Sequence, residues 1–244
     1  MALAAVAAFA GAFVQSTTGF GFALLLSPAL FAVMDPVEAV MGLIVLGLAL
    51  SLLVLFERGR PEHVDWRALA PMLLAALPGL ALGAVALTQL SKEVLQVAVG
   101  VAVIGAAAWQ LRRRHMSETP HLPAAAGLAA GFVSGALTTS ISVSGPPIVL
   151  WLEARGVRPE EFRASLAATF LALNLAGGVL LLGAEGSASV DAGKVAPPLG
   201  LVVAGYALGA LAFRRLDRER FYTMVLGLVA CTGAASVAAG AGLI

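Results

Sequence analysis

Two polar, glycine-rich strings interrupt an otherwise apolar chain, and they hold the residues best suited to chemistry. The first is Gln15-Ser16-Thr17-Thr18-Gly19-Phe20-Gly21; the second runs from Ser134 to Pro147 as SGALTTSISVSGPP. Neither contains a charge. Gln15, Ser16, Thr17, Thr18, Thr138, Thr139, Ser140, Ser142 and Ser144 offer neutral donors of the kind that suits an oxyanion. Gly19 and Gly21 allow the backbone to approach a ligand closely. Gly145 and Pro146-Pro147 suit the first turn of a helix, where a missing N–H costs nothing, and Ser142 or Ser144 is placed to cap that turn. Half-helix N-termini at such breaks carry free N–H groups and the positive end of the dipole, a natural seat for an anion. The same hydroxyls have a plainer use, hydrogen-bonding their own backbone at a kink. The sequence leaves both uses open.

Asn174 adds an isolated amide to the centre of a later apolar stretch. In a bilayer such a group needs a partner, either a ligand or a neighbouring helix. Thr169 precedes it by five residues, which at about 3.6 residues per turn turns it to another face. No His, Asp or Glu stands near Ser142 or Thr138 in sequence, so a nucleophile with its base is missing and an enzyme is not expected. His63, His115 and His121 have no ligand spacing between them, and a single Cys231 forms no thiolate cluster. Neither a metal nor a cofactor is called for.

The elements that position these residues follow from composition. Of 244 residues, 60% are hydrophobic and 12% charged, against about 25% charged in soluble domains. Fifteen basic and fourteen acidic residues nearly cancel. A disordered chain, a nucleic-acid binder resting on net charge and a water-soluble enzyme are excluded; the chain reads as an all-α polytopic membrane protein. Uncharged stretches cover 1–34, 39–56, 68–91, 94–111, 119–152, 164–184, 195–213 and 221–244. Six have the length of single spans. The stretches 1–34 and 119–152 would reach roughly 50 Å as straight helices, against a hydrocarbon core of about 30 Å. Each carries one of the polar strings near its middle, and so reads as an interrupted hairpin, re-entrant or short-spanning. The first apolar run lacks a basic leader, so a cleaved signal peptide is not expected.

The pattern of stretch lengths repeats, dividing the chain into repeat 1 (1–115) and repeat 2 (116–244), each a broken hairpin followed by three helices. Phe13-Val14 recurs at Phe132-Val133, and Pro36 and Glu38 recur at Pro159 and Glu161. Further on, Pro71, Gly79, Gly83 and Glu93 recur at Pro197, Gly205, Gly209 and Glu219. The offset drifts upward from 119, as short insertions would produce. Gly79-xxx-Gly83 and Gly205-xxx-Gly209 each place two glycines on one helix face, a packing signature. Tyr206, equivalent to Leu80, also reads as packing.

If both hairpins return to the side they enter from, all thirteen arginines fall on one side and the two lysines, Lys92 and Lys194, on the other. Eight simple spans would leave no such bias. The returning arrangement makes the halves inverted repeats, a common construction of secondary transporters. The arginine-rich loops are then cytoplasmic and both termini outside, with Trp66, Trp109 and Trp151 as an interfacial belt on the arginine side.

The strings GAFVQSTTGFGFALLLSP and GFVSGALTTSISVSGPPIVLWL, followed by RASLAATFLALN, resemble the sulfite exporter TauE/SafE family, also called the 4-toluene sulfonate uptake permease family. Ser16 stands where the family commonly has glycine, and Phe22 breaks a Gly-Gly pair. The resemblance implies transport of sulfite, sulfonates or related organosulfur anions across the cell membrane. Combined with the lack of mid-span charges, it suggests potential-driven export by alternating access; a selective anion channel of the same architecture is the alternative. The expected partners are a small anion and the lipid bilayer, not nucleic acid. Assembly into a homo-oligomer stays open.

Overall fold

The computed structural model describes residues 2–56, 64–113, 123–156, 159–185, 192–212, 233–234 and 236–243. Among these residues it is all helical. In order come α1 (Ala2–Thr18), α2 (Phe22–Val33), α3 (Pro36–Leu55), α4 (Trp66–Gln89), α5 (Lys92–Arg113), α6 (Ala124–Ile141), α7 (Gly145–Ala154), α8 (Pro159–Glu185) and α9 (Ala192–Ala212). Four of them, α3, α4, α5 and α8, contain segments long and apolar enough to cross a membrane. Most of the 221–244 stretch, together with His63, His115, His121 and Cys231, lies outside the described residues.

Both 34-residue stretches break in two where glycine or proline dictates. Helix α1 ends as Gly19 takes φ 85° and donates its N–H to Gln15 O at 2.8 Å, and Gly21 at φ 113° opens α2. Only glycine adopts these angles without steric cost. In the second stretch Pro146 has no N–H for an intrahelical bond, and its ring would strike the carbonyl four residues back, that of Ser142. Helix α6 therefore stops, with Ser142 itself left-handed at φ 58°.

The chain then doubles back. A Cβ on Gly11 would lie 2.8 Å from the Phe22 carbonyl, and one on Gly127 would lie 2.7 Å from the Trp151 ring. At about 1.5 Å per residue, the ten residues of α7 return only roughly 15 Å. Its end is pinned by an ion pair of Arg155 Nη2 with Asp65 Oδ2 at 3.1 Å. Asp65 is also the N-cap of α4, accepting from the Ala68 N–H. Trp151, expected in an interfacial belt, is instead 5% exposed. Its ring packs under Gly127 and carries the Arg155 guanidinium 5.1 Å above its centroid.

Two glycine pairs set the remaining geometry. Gly79 and Gly83 of α4 pack on the backbone of Phe132 and Ala136 in α6, so closely that a Cβ at either would overlap a carbonyl oxygen. Gly205 and Gly209 of α9 meet Phe9 and Phe13 of α1 in the same way. Both pairs of helices run parallel, and each joins an element of one half to an element of the other. Between them α3 and α8 cross antiparallel: Gly47 faces Asn174, and Gly178 faces Ile44.

The helix boundaries at the two breaks fall at a constant spacing in the sequence. Gly19 and Ser142 end their helices, Gly21 and Ser144 precede the next ones, and Pro36 and Pro159 start α3 and α8. Every one of these pairs is 123 residues apart. Phe13-Val14 and Phe132-Val133, 119 residues apart, stand four residues off that spacing, about one turn.

Candidate functional site

The two breaks converge. They enclose a small cavity of ≈ 40 Å³, well below the about 300–1,000 Å³ of pockets for drug-sized ligands. The first break supplies Gln15, Phe20, Gly21 and Phe22, with Ala23 and Leu24 from the first turn of α2. The second supplies Ser142, Val143, Ser144 and Gly145. Helix α3 contributes Leu43, Gly47 and Ser51, and α8 contributes Phe170 and Asn174. Ser27 Oγ of α2 donates to the Ile141 carbonyl at 2.9 Å and so locks the two hairpins together beside this space.

Of the residues singled out from sequence, Gln15, Gly21, Ser142, Ser144, Gly145 and Asn174 line the cavity. The others do not. Ser16 donates to Phe13 O at 2.8 Å, Thr17 to Val14 O at 2.7 Å, and Thr18 to Phe20 O at 2.5 Å with Val14 O at 3.1 Å as its other acceptor. Thr138 donates to Ser134 O at 2.7 Å, Ser140 to Ala136 O at 2.6 Å, and Thr139 across to Leu80 O of α4 at 2.7 Å. These residues sit in the last turns of α1 and α6, where the carbonyls three and four residues back lie within reach of a short hydroxyl. Gly19 and Pro146 shape the breaks without lining the space. Neither Ser142 nor Ser144 caps α7: Ser142 Oγ turns back to Thr138 O at 3.2 Å, and Ser144 is the N-cap residue without a side-chain bond.

Among the described residues, the lining carries no ionisable side chain. Its electrostatics come from hydroxyls, amides and the N-termini of α2 and α7, both of which begin at the cavity and bring their positive dipole ends to it. Ser142 is the one non-glycine with positive φ among the described residues. Holding a serine there costs on the order of 1–2 kcal/mol, and such strain concentrates at functional positions.

Sequence reasoning passed over the aromatic collar of Phe20, Phe22 and Phe170 and the close approach at Gly47. A Cβ at Gly47 would stand 2.8 Å from Asn174 Nδ2. The sequence carried a signal, since it already pairs Ser51 with Asn174 at a 123-residue spacing, and Gly47 stands at the same spacing from Phe170. Arg163 was also missed. It falls inside α8, which starts at Pro159, and its Nη2 donates to Ser16 O at 3.0 Å, at the negative end of α1.

A family model, sulfite exporter TauE/SafE, matches residues 3–236. The chain is 28% identical over 173 residues to the "probable sulfite/organosulfonate exporter TauE" of Cupriavidus necator. That match covers 66% of this chain and 64% of the relative. No solved structure matches it.

Proposed function

Given that the chain belongs to the sulfite exporter TauE/SafE family, we propose that it is a secondary transporter exporting sulfite, a sulfonate or a related organosulfur anion. The observation that carries this reading is the convergence of two helix breaks, one from each half, on a single cavity lined by neutral donors. Gln15, Gly21, Ser142, Ser144, Gly145 and Asn174 surround the anion. The antiparallel crossing of α3 and α8 and the parallel pairs α4–α6 and α1–α9 support inverted repeats, with repeat 1 at 1–115 and repeat 2 at 116–244. Rocking of one half against the other then exposes the cavity to each side in turn.

The thirteen arginines mark the cytoplasmic side, where α4 and α6 begin and α7 ends, and the N-terminus lies outside. Among the described residues no acidic side chain lines the cavity to relay protons. The membrane potential suffices as a drive: it is worth about 2.3 kcal/mol per charge per 100 mV, or roughly 4.6 kcal/mol for a divalent anion leaving a negative interior. In proteoliposomes held at fixed potential, sulfite efflux saturates and is accelerated by sulfite on the opposite side. Flux that neither saturates nor shows counterflow would mean a channel, and strict proton dependence would overturn potential-driven export.

A further inference from the structure

The two breaks are equivalent in position but do not offer an anion the same donors. The first residues of a helix have N–H groups without intrahelical acceptors. In α7 these are Gly145, Pro146 and Pro147, and the two prolines have no N–H. In α2 they are Phe22, Ala23 and Leu24, all lining the cavity. The Phe22 N–H is taken by Gln15 Oε1 at 3.2 Å; Ala23 and Leu24 keep theirs. That same bond orients the Gln15 amide. Its oxygen faces the helix, which leaves the two Nε2 donors for the cavity that Gln15 lines.

A second observation points to the same place. Ser51 of α3 is completely buried (0% exposed), its Oγ has no hydrogen-bond partner, and it lines this cavity. A buried hydroxyl left unpaired is costly, unless a ligand completes it. Ser134 and Ser165 are equally buried, with equally unpartnered Oγ atoms, but stand away from the cavity. They are built-in controls.

We infer that the anion's oxygens dock on the N-terminus of α2, held by the Ala23 and Leu24 N–H groups, Gln15 Nε2 and the Ser51 hydroxyl. The proline-headed α7 contributes only the Gly145 end of its first turn. This assignment rests on the anion-transport reading above.

The test is calorimetric titration of purified protein with sulfite, sulfate and methanesulfonate, with thermal unfolding followed on the same samples. Ser51→Ala weakens sulfite binding about 10- to 100-fold, as expected for a lost hydrogen bond to a charged group, without lowering Tm. Ser134→Ala and Ser165→Ala bind as the parent does. Gln15→Glu keeps an acceptor for the Phe22 N–H, yet abolishes binding by setting a negative charge where the donors were. Unchanged affinity in Ser51→Ala, or an equal loss in either control serine, overturns the assignment while leaving an anion transporter in place. A parent protein that binds none of the three anions overturns the transport reading and this assignment with it.

Discussion

The first break is built from Gly19-Phe20-Gly21 and the second from Ser142-Val143-Ser144 followed by two prolines, yet both occupy equivalent places against one cavity. The first reaches left-handed backbone at no steric cost and gains contact, since a Cβ at Gly21 would come 2.9 Å from Val14 Cγ1. The second stops its helix with proline and accepts a strained serine, which keeps a hydroxyl at the cavity wall. One tertiary geometry has been reached by two local chemistries, and the difference decides which hairpin retains backbone donors. Its proline-free start leaves α2 with the larger set.

Substitutions can break this comparison in order of severity. The two hairpins are clamped alike, by Gly79 of α4 on α6 and by Gly205 of α9 on α1. Gly79→Leu and Gly205→Leu should therefore cost similar amounts, about 3 kcal/mol or more each by overpacking; denaturation of the purified protein in detergent measures both. A much smaller loss at one position would show that its hairpin is held by something else. Gly21→Ser places the second break's residue type in the first and costs about 2 kcal/mol, because φ 113° is closed to a side chain. Ser142→Gly makes the reverse exchange and raises stability by about 1 kcal/mol, read as a higher Tm, while removing a cavity hydroxyl. Smallest is Arg155→Ala, which removes a partly exposed ion pair at the C-terminal end of α7 and costs under about 1 kcal/mol.

Much of this architecture is legible in the sequence because charge and helix-breaking residues act locally. Charged residues bound the stretches 39–56, 68–91, 94–111 and 164–184, and the helices Pro36–Leu55, Trp66–Gln89, Lys92–Arg113 and Pro159–Glu185 follow within a few residues. The largest excess is at the start of α8, where Pro159 begins the helix before the charges end and carries Arg163 into the bundle. Gly19, Gly21 and Pro146 locate both interruptions from backbone preference alone. The internal register was harder to read, since matches at 119, 123 and 126 residues compete in the sequence, and the helix ends at both breaks fall on the 123-residue spacing.

Which polar groups face the cavity was not legible, and Thr17 and Ser51 illustrate why. Thr17 stands in the most polar string of the first half, but the Val14 carbonyl lies closer than any ligand and takes its proton. Ser51 lies alone in an apolar helix, distinguished in sequence only by pairing with Asn174, and ends with its hydroxyl unpaired at the cavity. Composition and the positions of Gly, Pro and Arg determine by themselves that this chain is helical, apolar and twice interrupted, because each acts through its own backbone or its own hydration. Helix rotation and the contacts between halves decide what the interruptions enclose. Those depend on residues more than a hundred positions apart, and only the packed structure brings them together.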